Sequence, residues 1–259
     1  MNLRGATVLI TGASSGIGAA TAREVHRRGG RALLVARRKE PLADLAAELG
    51  AVAYPCDASD ATAVAGLAER VRADGNEPDV LVNNAGAGRF LFLEETTASD
   101  LAEMTAVPYF AAFHITRAFI ENMLERRSGW IVNVNSPASR AVWPGAIAYS
   151  GARWALRGFN AALAVELKGT GVGVTEVVPG KVRSDYFAHN PGSEERLPRI
   201  SRIIATLTCE DVAAALCTGV ERERRHVLIP RMLRLIDLQA RLLPGATEWL
   251  LWRTGAKRR

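Results

Sequence analysis

What most narrows the fold is an alternation of short, unbroken apolar runs with stretches of helical spacing. Residues 6–10, 32–36, 52–54, 80–82, 131–134, 172–178 and 227–229 form the apolar runs. A strand that is apolar along its length, rather than at every second position, has to be covered on both faces. Between the runs, residues 21–28, 42–49, 61–71, 101–124, 149–167 and 211–220 place apolar side chains at helical intervals. Strands that alternate with helices in this way predict an α/β chain with a doubly wound parallel sheet of about seven strands and helices on both faces. Such a sheet binds its ligand at the carboxyl ends of the strands. No repeat or linker divides the chain, so residues 1–230 read as one domain and 231–259 as a basic amphipathic C-terminal extension.

The net charge of +6 raises the question of a nucleic-acid partner, and its distribution answers it. From Arg222 to Arg259 there are ten Arg and Lys against three Asp and Glu, a net of +7 that leaves the other 221 residues at −1. A neutral body disfavours a basic groove across the fold, and no nucleic acid is expected. Three scattered cysteines make no disulfide framework, and the start, Met1-Asn2-Leu3-Arg4-Gly5, has no secretory shape. A reducing, cytoplasmic setting is expected. No His/Cys/Asp/Glu cluster has metal-ligand spacing.

Between the first apolar run and the first helix lies Thr11-Gly12-Ala13-Ser14-Ser15-Gly16-Ile17-Gly18. Glycines there permit a tight turn and close approach of the backbone to a pyrophosphate. The helix start offers free N–H groups and positive dipole, and Ser14 and Ser15 offer hydroxyls. The spacing is Gly-x-x-x-Gly-x-Gly. Asn83-Asn84-Ala85-Gly86 follows the fourth run, Ser136 the fifth, Tyr149 comes thirteen residues after Ser136, and Pro179-Gly180 follows the sixth run. Over residues 5–230 this order and spacing resembles the short-chain dehydrogenase/reductase family, whose sheet is of the Rossmann type.

The resemblance assigns roles to positions. Gly12, Ser14, Ser15, Gly16, Ile17 and Gly18 would cradle the phosphates. Asp57 would meet the adenine, Asn83 would support the cofactor side of the sheet with Ala85 and Gly86 beside it, and Pro179, Gly180, Val182 and Ser184 would border the nicotinamide. After the second run, where an acidic residue would hold the ribose hydroxyls of NAD, the chain has Arg37 and Arg38. A planar guanidinium suits a 2′-phosphate, so the expected cofactor is NADP(H), with Arg37 as the main contact and a solvated basic pair as the plainer alternative.

Ser136 would orient a substrate oxygen and Tyr149 would act as general acid/base. A cation one helical turn after the tyrosine shares its face. The family has Lys there, and this chain has Arg153, which keeps the charge but cannot release a proton. The family's Asn in the preceding long helix aligns with Pro108, which lacks an N–H and frees the carbonyl of Met104, so that a kink can survive. The reading is an NADP(H)-dependent oxidoreductase that interconverts a carbonyl and an alcohol. The alternative is an NADP(H)-binding pseudoenzyme or sensor, because the two relay positions are changed.

Phe90, Phe92, Leu93, Trp143 and residues 186–197 are candidates for contact with substrate, and their apolar character favours a hydrophobic small molecule. Residues 186–201, with His189, Pro191, Gly192 and Pro198, read as a mobile lid. The tail places Arg231, Arg234 and Arg241 near one helical face amid Leu and Ile, with Trp249 and Trp252 beyond. A membrane surface is one reading of it, but packing on its own domain or on another subunit is favoured. By resemblance, a homodimer or homotetramer is expected through the long helices at 101–124 and 149–167.

Overall fold

The computed structural model describes residues 1–258. Seven strands, β1 (Thr7–Thr11), β2 (Arg31–Ala36), β3 (Val52–Pro55), β4 (Val80–Asn83), β5 (Gly129–Val134), β6 (Val172–Pro179) and β7 (His226–Ile229), form one sheet in the order β3-β2-β1-β4-β5-β6-β7. Every pairing is parallel. The runs are apolar throughout because each face has its own core. Val8 and Ile10 join a cluster with α1 (Gly16–Arg27), α2 (Lys39–Leu49) and α7 (Cys209–Glu221). Leu9 between them joins a cluster with α3 (Ala61–Ala73), α5 (Ala111–Glu125) and α6 (Ile147–Glu166). The strand order reverses between β1 and β4, which opens a crevice at their carboxyl ends.

The long helical stretch is broken where proline requires it. It divides into α4 (Ala98–Thr105), a π-helical turn at Ala106–Phe110, and α5. The Ala111 N–H donates to the Ala106 carbonyl five residues back, and buried Pro108 sits inside the widened turn. A wider turn accommodates a residue that can neither donate nor let the preceding carbonyls stack normally. The kink expected at Pro108 is therefore present as a π turn.

The C-terminal extension is not a free tail. α8 (Met232–Leu242) and α9 (Pro244–Thr254) form a helical pair, and buried Leu233 of α8 packs on Val178 and Leu228 of the sheet. The extension from residue 231 thus packs against the body that precedes it. α6 begins at Ile147 rather than at Tyr149, so Tyr149 lies in its first turn.

Candidate active site

The end of β1 sets the nucleotide half of the site. Thr11 Oγ1 donates to the Val82 carbonyl at 3.3 Å and accepts the N–H groups of Asn84 and Ala85, each at 3.0 Å. One hydroxyl therefore ties the glycine loop to the Asn-Asn-Ala-Gly segment. Behind the loop, a β-carbon on Gly18 would lie 2.2 Å from the Gly12 carbonyl oxygen, so only glycine lets α1 start this close to β1. At the N-cap of α1 the Ser15 side chain makes no capping bond, and the first turn holds no acidic residue. That leaves a helix N-terminus with its positive end available to an anion.

A cavity of about 960 Å³ begins at this loop and runs to the ends of β5 and β6. Gly12, Ser14, Ser15, Gly16, Ile17, Arg37, Arg38, Asp57, Ala85, Gly86, Ser136, Tyr149, Arg153, Pro179, Gly180, Val182 and Ser184 all line it. Two expected residues do not. Gly18 serves behind the loop, and Asn83 faces the interior of the sheet. The Asn83 amide donates to Asn133 Oδ1 at 2.9 Å and to Thr116 Oγ1 at 3.2 Å, and Asn133 donates on to Asn160 at 3.0 Å. Asn83 supports the sheet from within.

The two arginines after β2 differ. Arg38 donates to Ser15 Oγ at 2.6 Å and to Ser14 Oγ at 3.1 Å, and so lies over the glycine loop. Arg37, expected as the main contact, is exposed and stands 3.8 Å from the Asp57 carboxylate. Burial works to raise the Asp57 carboxyl, but two hydrogen bonds from Ser59 and the Arg37 charge outweigh it and hold the group below the ordinary carboxylate range.

The reacting end is built by β5 and α6. The Ser136 N–H donates to Asn135 Oδ1 at 2.9 Å, and its hydroxyl accepts from Ala138 N–H at 3.3 Å. Tyr149 is buried, with its ring 5.0 Å from Phe90 in an edge-on contact. The Arg153 guanidinium stands 5.0 Å from the centre of the same ring. Arg153 Nη1 donates to the Val134 carbonyl at 3.2 Å, its Nε has no partner, and among the described residues no carboxylate pairs with it. A buried cation without a counter-ion is costly, and the phenol ring and one carbonyl are what face it. Ser136, Tyr149 and Arg153 all line the cavity, with Arg153 against the Tyr149 ring.

Tyr186 is a second phenol at this place. Its O–H donates to the Gly88 carbonyl at 2.7 Å. Burial, and next to it the Tyr149 hydroxyl, push its ionisation above the usual phenol range. Phe90, Trp143, Tyr186, Phe187 and Leu197 make the far wall apolar. Phe92 and Leu93 do not line it. The Phe92 ring is clasped between the guanidinium groups of Arg196 and Arg258, each at 5.2 Å, and Leu93 points to solvent. In the segment read as a lid, Ser193 Oγ accepts the Phe90 N–H at 3.0 Å and Arg196 donates to the Phe90 carbonyl at 2.9 Å.

Sequence reasoning missed a buried ionic group behind Ser136. Arg140 pairs with Glu176 of β6 and, at 3.3 Å, with Asp237 of α8. Glu176 also accepts from Asn135 at 2.8 Å, and the Asn135 amide donates to the Arg153 carbonyl at 3.2 Å. A lone carboxylate within the apolar run of β6 was the available signal, because a buried charge requires a partner. Through Asp237 the C-terminal helices are fastened to the site, and Leu233, Ile236, Leu250 and Leu251 close the cavity's far end. Among the described residues no cluster of His, Cys, Asp and Glu is placed to hold a metal.

A crevice of this kind, with an uncapped helix start and a Ser–Tyr pair, defines a nucleotide-binding α/β enzyme class. Comparison with known proteins gives the family: the model for short chain dehydrogenase matches residues 6–194, and the chain belongs to that family of oxidoreductases. A probable oxidoreductase, EphD, of Mycobacterium tuberculosis is 36% identical over 260 residues, covering 92% of this chain. The chain spans only 43% of that relative's length. A short-chain dehydrogenase structure from Streptomyces avermitilis superposes with a TM-score of 0.81 at 29% identity, covering 94% of this chain and 96% of the other. One from Sphingobium yanoikuyae, in complex with NADPH, gives a TM-score of 0.78 at 27% identity with the same coverage.

Proposed function

We propose that this chain is an NADP(H)-dependent oxidoreductase that interconverts a carbonyl and an alcohol on a hydrophobic small molecule. The observation that carries the reading is that Ser136, Tyr149 and Arg153 all line the cavity that starts at the glycine loop, with Arg153 5.0 Å from the Tyr149 ring. The nucleotide residues fit a dinucleotide: the N-terminus of α1 is uncapped, the backbone at Gly12 and Gly18 is close, and Arg37 and Arg38 line the same cavity, with guanidinium groups suited to a 2′-phosphate. The NADPH held by the Sphingobium relative supports the phosphorylated form. When bound, the nicotinamide supplies or accepts a hydride.

The chain's own residues do the rest. Ser136 Oγ holds the substrate oxygen. In reduction the Tyr149 hydroxyl gives that oxygen its proton, and in oxidation the phenolate removes it. The Arg153 guanidinium, 5.0 Å from the ring, would face negative charge left on the phenol, and with the cofactor bound it would contact the ribose. Because arginine does not release a proton, reprotonation of Tyr149 does not pass through residue 153. Tyr149→Phe should bind NADPH as the wild type does and lose turnover of apolar ketones by about two to four orders of magnitude, the usual worth of a general acid. Unchanged turnover would refute the assignment.

A second reading, a nucleotide-binding protein without turnover, is favoured by the partnerless buried Nε of Arg153 and by Pro108 in the relay helix. NADPH binding with no oxidation across a panel of ketones and aldehydes would establish it. We also infer a homodimer or homotetramer, since Phe113 and Leu124 of α5 and Trp154 and Val165 of α6 are exposed apolar residues. Sedimentation of the full chain tests that.

A further inference from the structure

The helical pair at the end of the chain has two unlike faces. The inner one lines the cavity. The outer one exposes Leu235, Leu238 and Leu242 of α8, Leu243 at the joint, and Trp249 and Trp252 of α9, each with more than half of its surface in solvent. Positions 235, 238 and 242 repeat at helical spacing, and positions 231, 234 and 241 run alongside them. This interleaves arginines with leucines on one stripe.

The charges on that stripe are unbalanced. Asp237 turns inward to Arg140 and Arg241, and Arg258 is taken up by Glu94. Arg231, Arg234 and Arg253 enter no ion pair among the described residues, against one exposed and unpaired carboxylate on these helices, Glu248, a net of two free positive charges. An apolar face flanked by free cations and indole rings matches a bilayer interface, where arginine stems lie along the acyl boundary and tryptophan sits at headgroup depth. A second copy of the chain fits less well, because a two-fold contact would set the same cations against one another. Neither helix crosses a membrane: each has eleven residues, about 16 Å of helix against a hydrocarbon core of about 30 Å.

We propose that the outer face of α8 and α9 docks on an anionic lipid bilayer, and that the substrate enters the cavity from that bilayer. The entry half rests on the oxidoreductase reading and the docking half does not. Leu233, Ile236, Leu250 and Leu251 stand on the reverse side of the same two helices, so the bilayer would lie about one helix diameter, roughly 10 Å, from the apolar end of the cavity.

The test is flotation of the full chain with vesicles of phosphatidylcholine and phosphatidylglycerol, and with vesicles of phosphatidylcholine alone. Binding should require the anionic lipid and fall as salt rises. At about a fivefold loss per cation near the surface, the triple variant Arg231→Gln, Arg234→Gln, Arg253→Gln should bind on the order of a hundredfold more weakly while binding NADPH unchanged. No flotation with anionic vesicles overturns the docking, as does self-association that Leu238→Asp or Trp252→Asp abolishes. For entry, the triple variant should turn over a vesicle-held ketone at least tenfold more slowly than wild type, and a water-soluble ketone equally fast. Equal rates on the vesicle-held ketone overturn that half. Because flotation needs no turnover, a protein that floats but does not react would refute the oxidoreductase reading and leave the docking intact.

Discussion

A β-carbon at Gly88 would stand 2.5 Å from Cδ2 of Tyr149, at a backbone φ of +150° that side chains rarely adopt. The glycine thus sets where the phenol lies. Gly88→Ala should move the ring by a few tenths of an ångström to an ångström and lower kcat/KM by about a hundredfold, since misplacement on that scale costs about that much. NADPH affinity should stay within twofold, which titration would check. Tyr149 and Ser136 were legible in the sequence because their interval is fixed by the fold. Gly88 was not, because its constraint is a contact across space. Arg37 and Arg38 were legible as a pair but not as individuals. The bonds from Arg38 to both loop serines hold it across the gap between β2 and the glycine loop, where a 2′-phosphate would be met. Arg38→Ala should weaken NADPH binding by about tenfold to a hundredfold, the worth of charge-assisted bonds, and leave NADH nearly unaffected. Arg37→Ala should cost less, because Arg37 leans toward Asp57. Isothermal titration with both nucleotides separates the two.

Among the elements, β6 carries the least expected residue. Glu176 is fully enclosed, yet its carboxyl is held below the ordinary range. Burial pushes it up, and the hydrogen bond from His226, the Arg140 charge and the Asn135 amide pull it down further. A carboxyl depressed in the folded state adds stability that is complete above its unfolded value of about 4.3 and is lost as pH falls through the lower folded value. Stability should therefore hold flat from neutrality to about pH 5 in this part of the sheet and decline below it. Glu176→Gln leaves the Arg140 guanidinium with Asp237 alone and should cost about 3–5 kcal/mol, read as a lower urea midpoint. An unchanged midpoint would mean that the pair does not brace the sheet. The strands and helices themselves were legible because both faces of each strand are apolar. The partner of Glu176 was not, since Arg140 lies on the loop after β5 and Asp237 on α8.

Across the whole molecule the last two helices line the cavity on one face and show exposed leucines, tryptophans and three unpaired arginines on the other, while most of the basic excess lies in the segments that flank them. The sequence pattern of residues 231–259 revealed the amphipathic character. It could not reveal which face packs, because that depends on the Arg140–Asp237 pair and on Leu233 entering the sheet's edge. The same body joins the uncapped start of α1 at one end to the Ser136–Tyr149–Arg153 group at the other, and the central claim is that hydride and proton transfer occur across that span. The most direct measurement is isotope transfer. NADPH deuterated at the nicotinamide C4, given with an apolar ketone, should place deuterium on the carbinol carbon of the product in the wild type, from one face only. Tyr149→Phe should bind the nucleotide and transfer almost none. NADPH that binds to the wild type while no deuterium reaches any ketone or aldehyde would contradict the account.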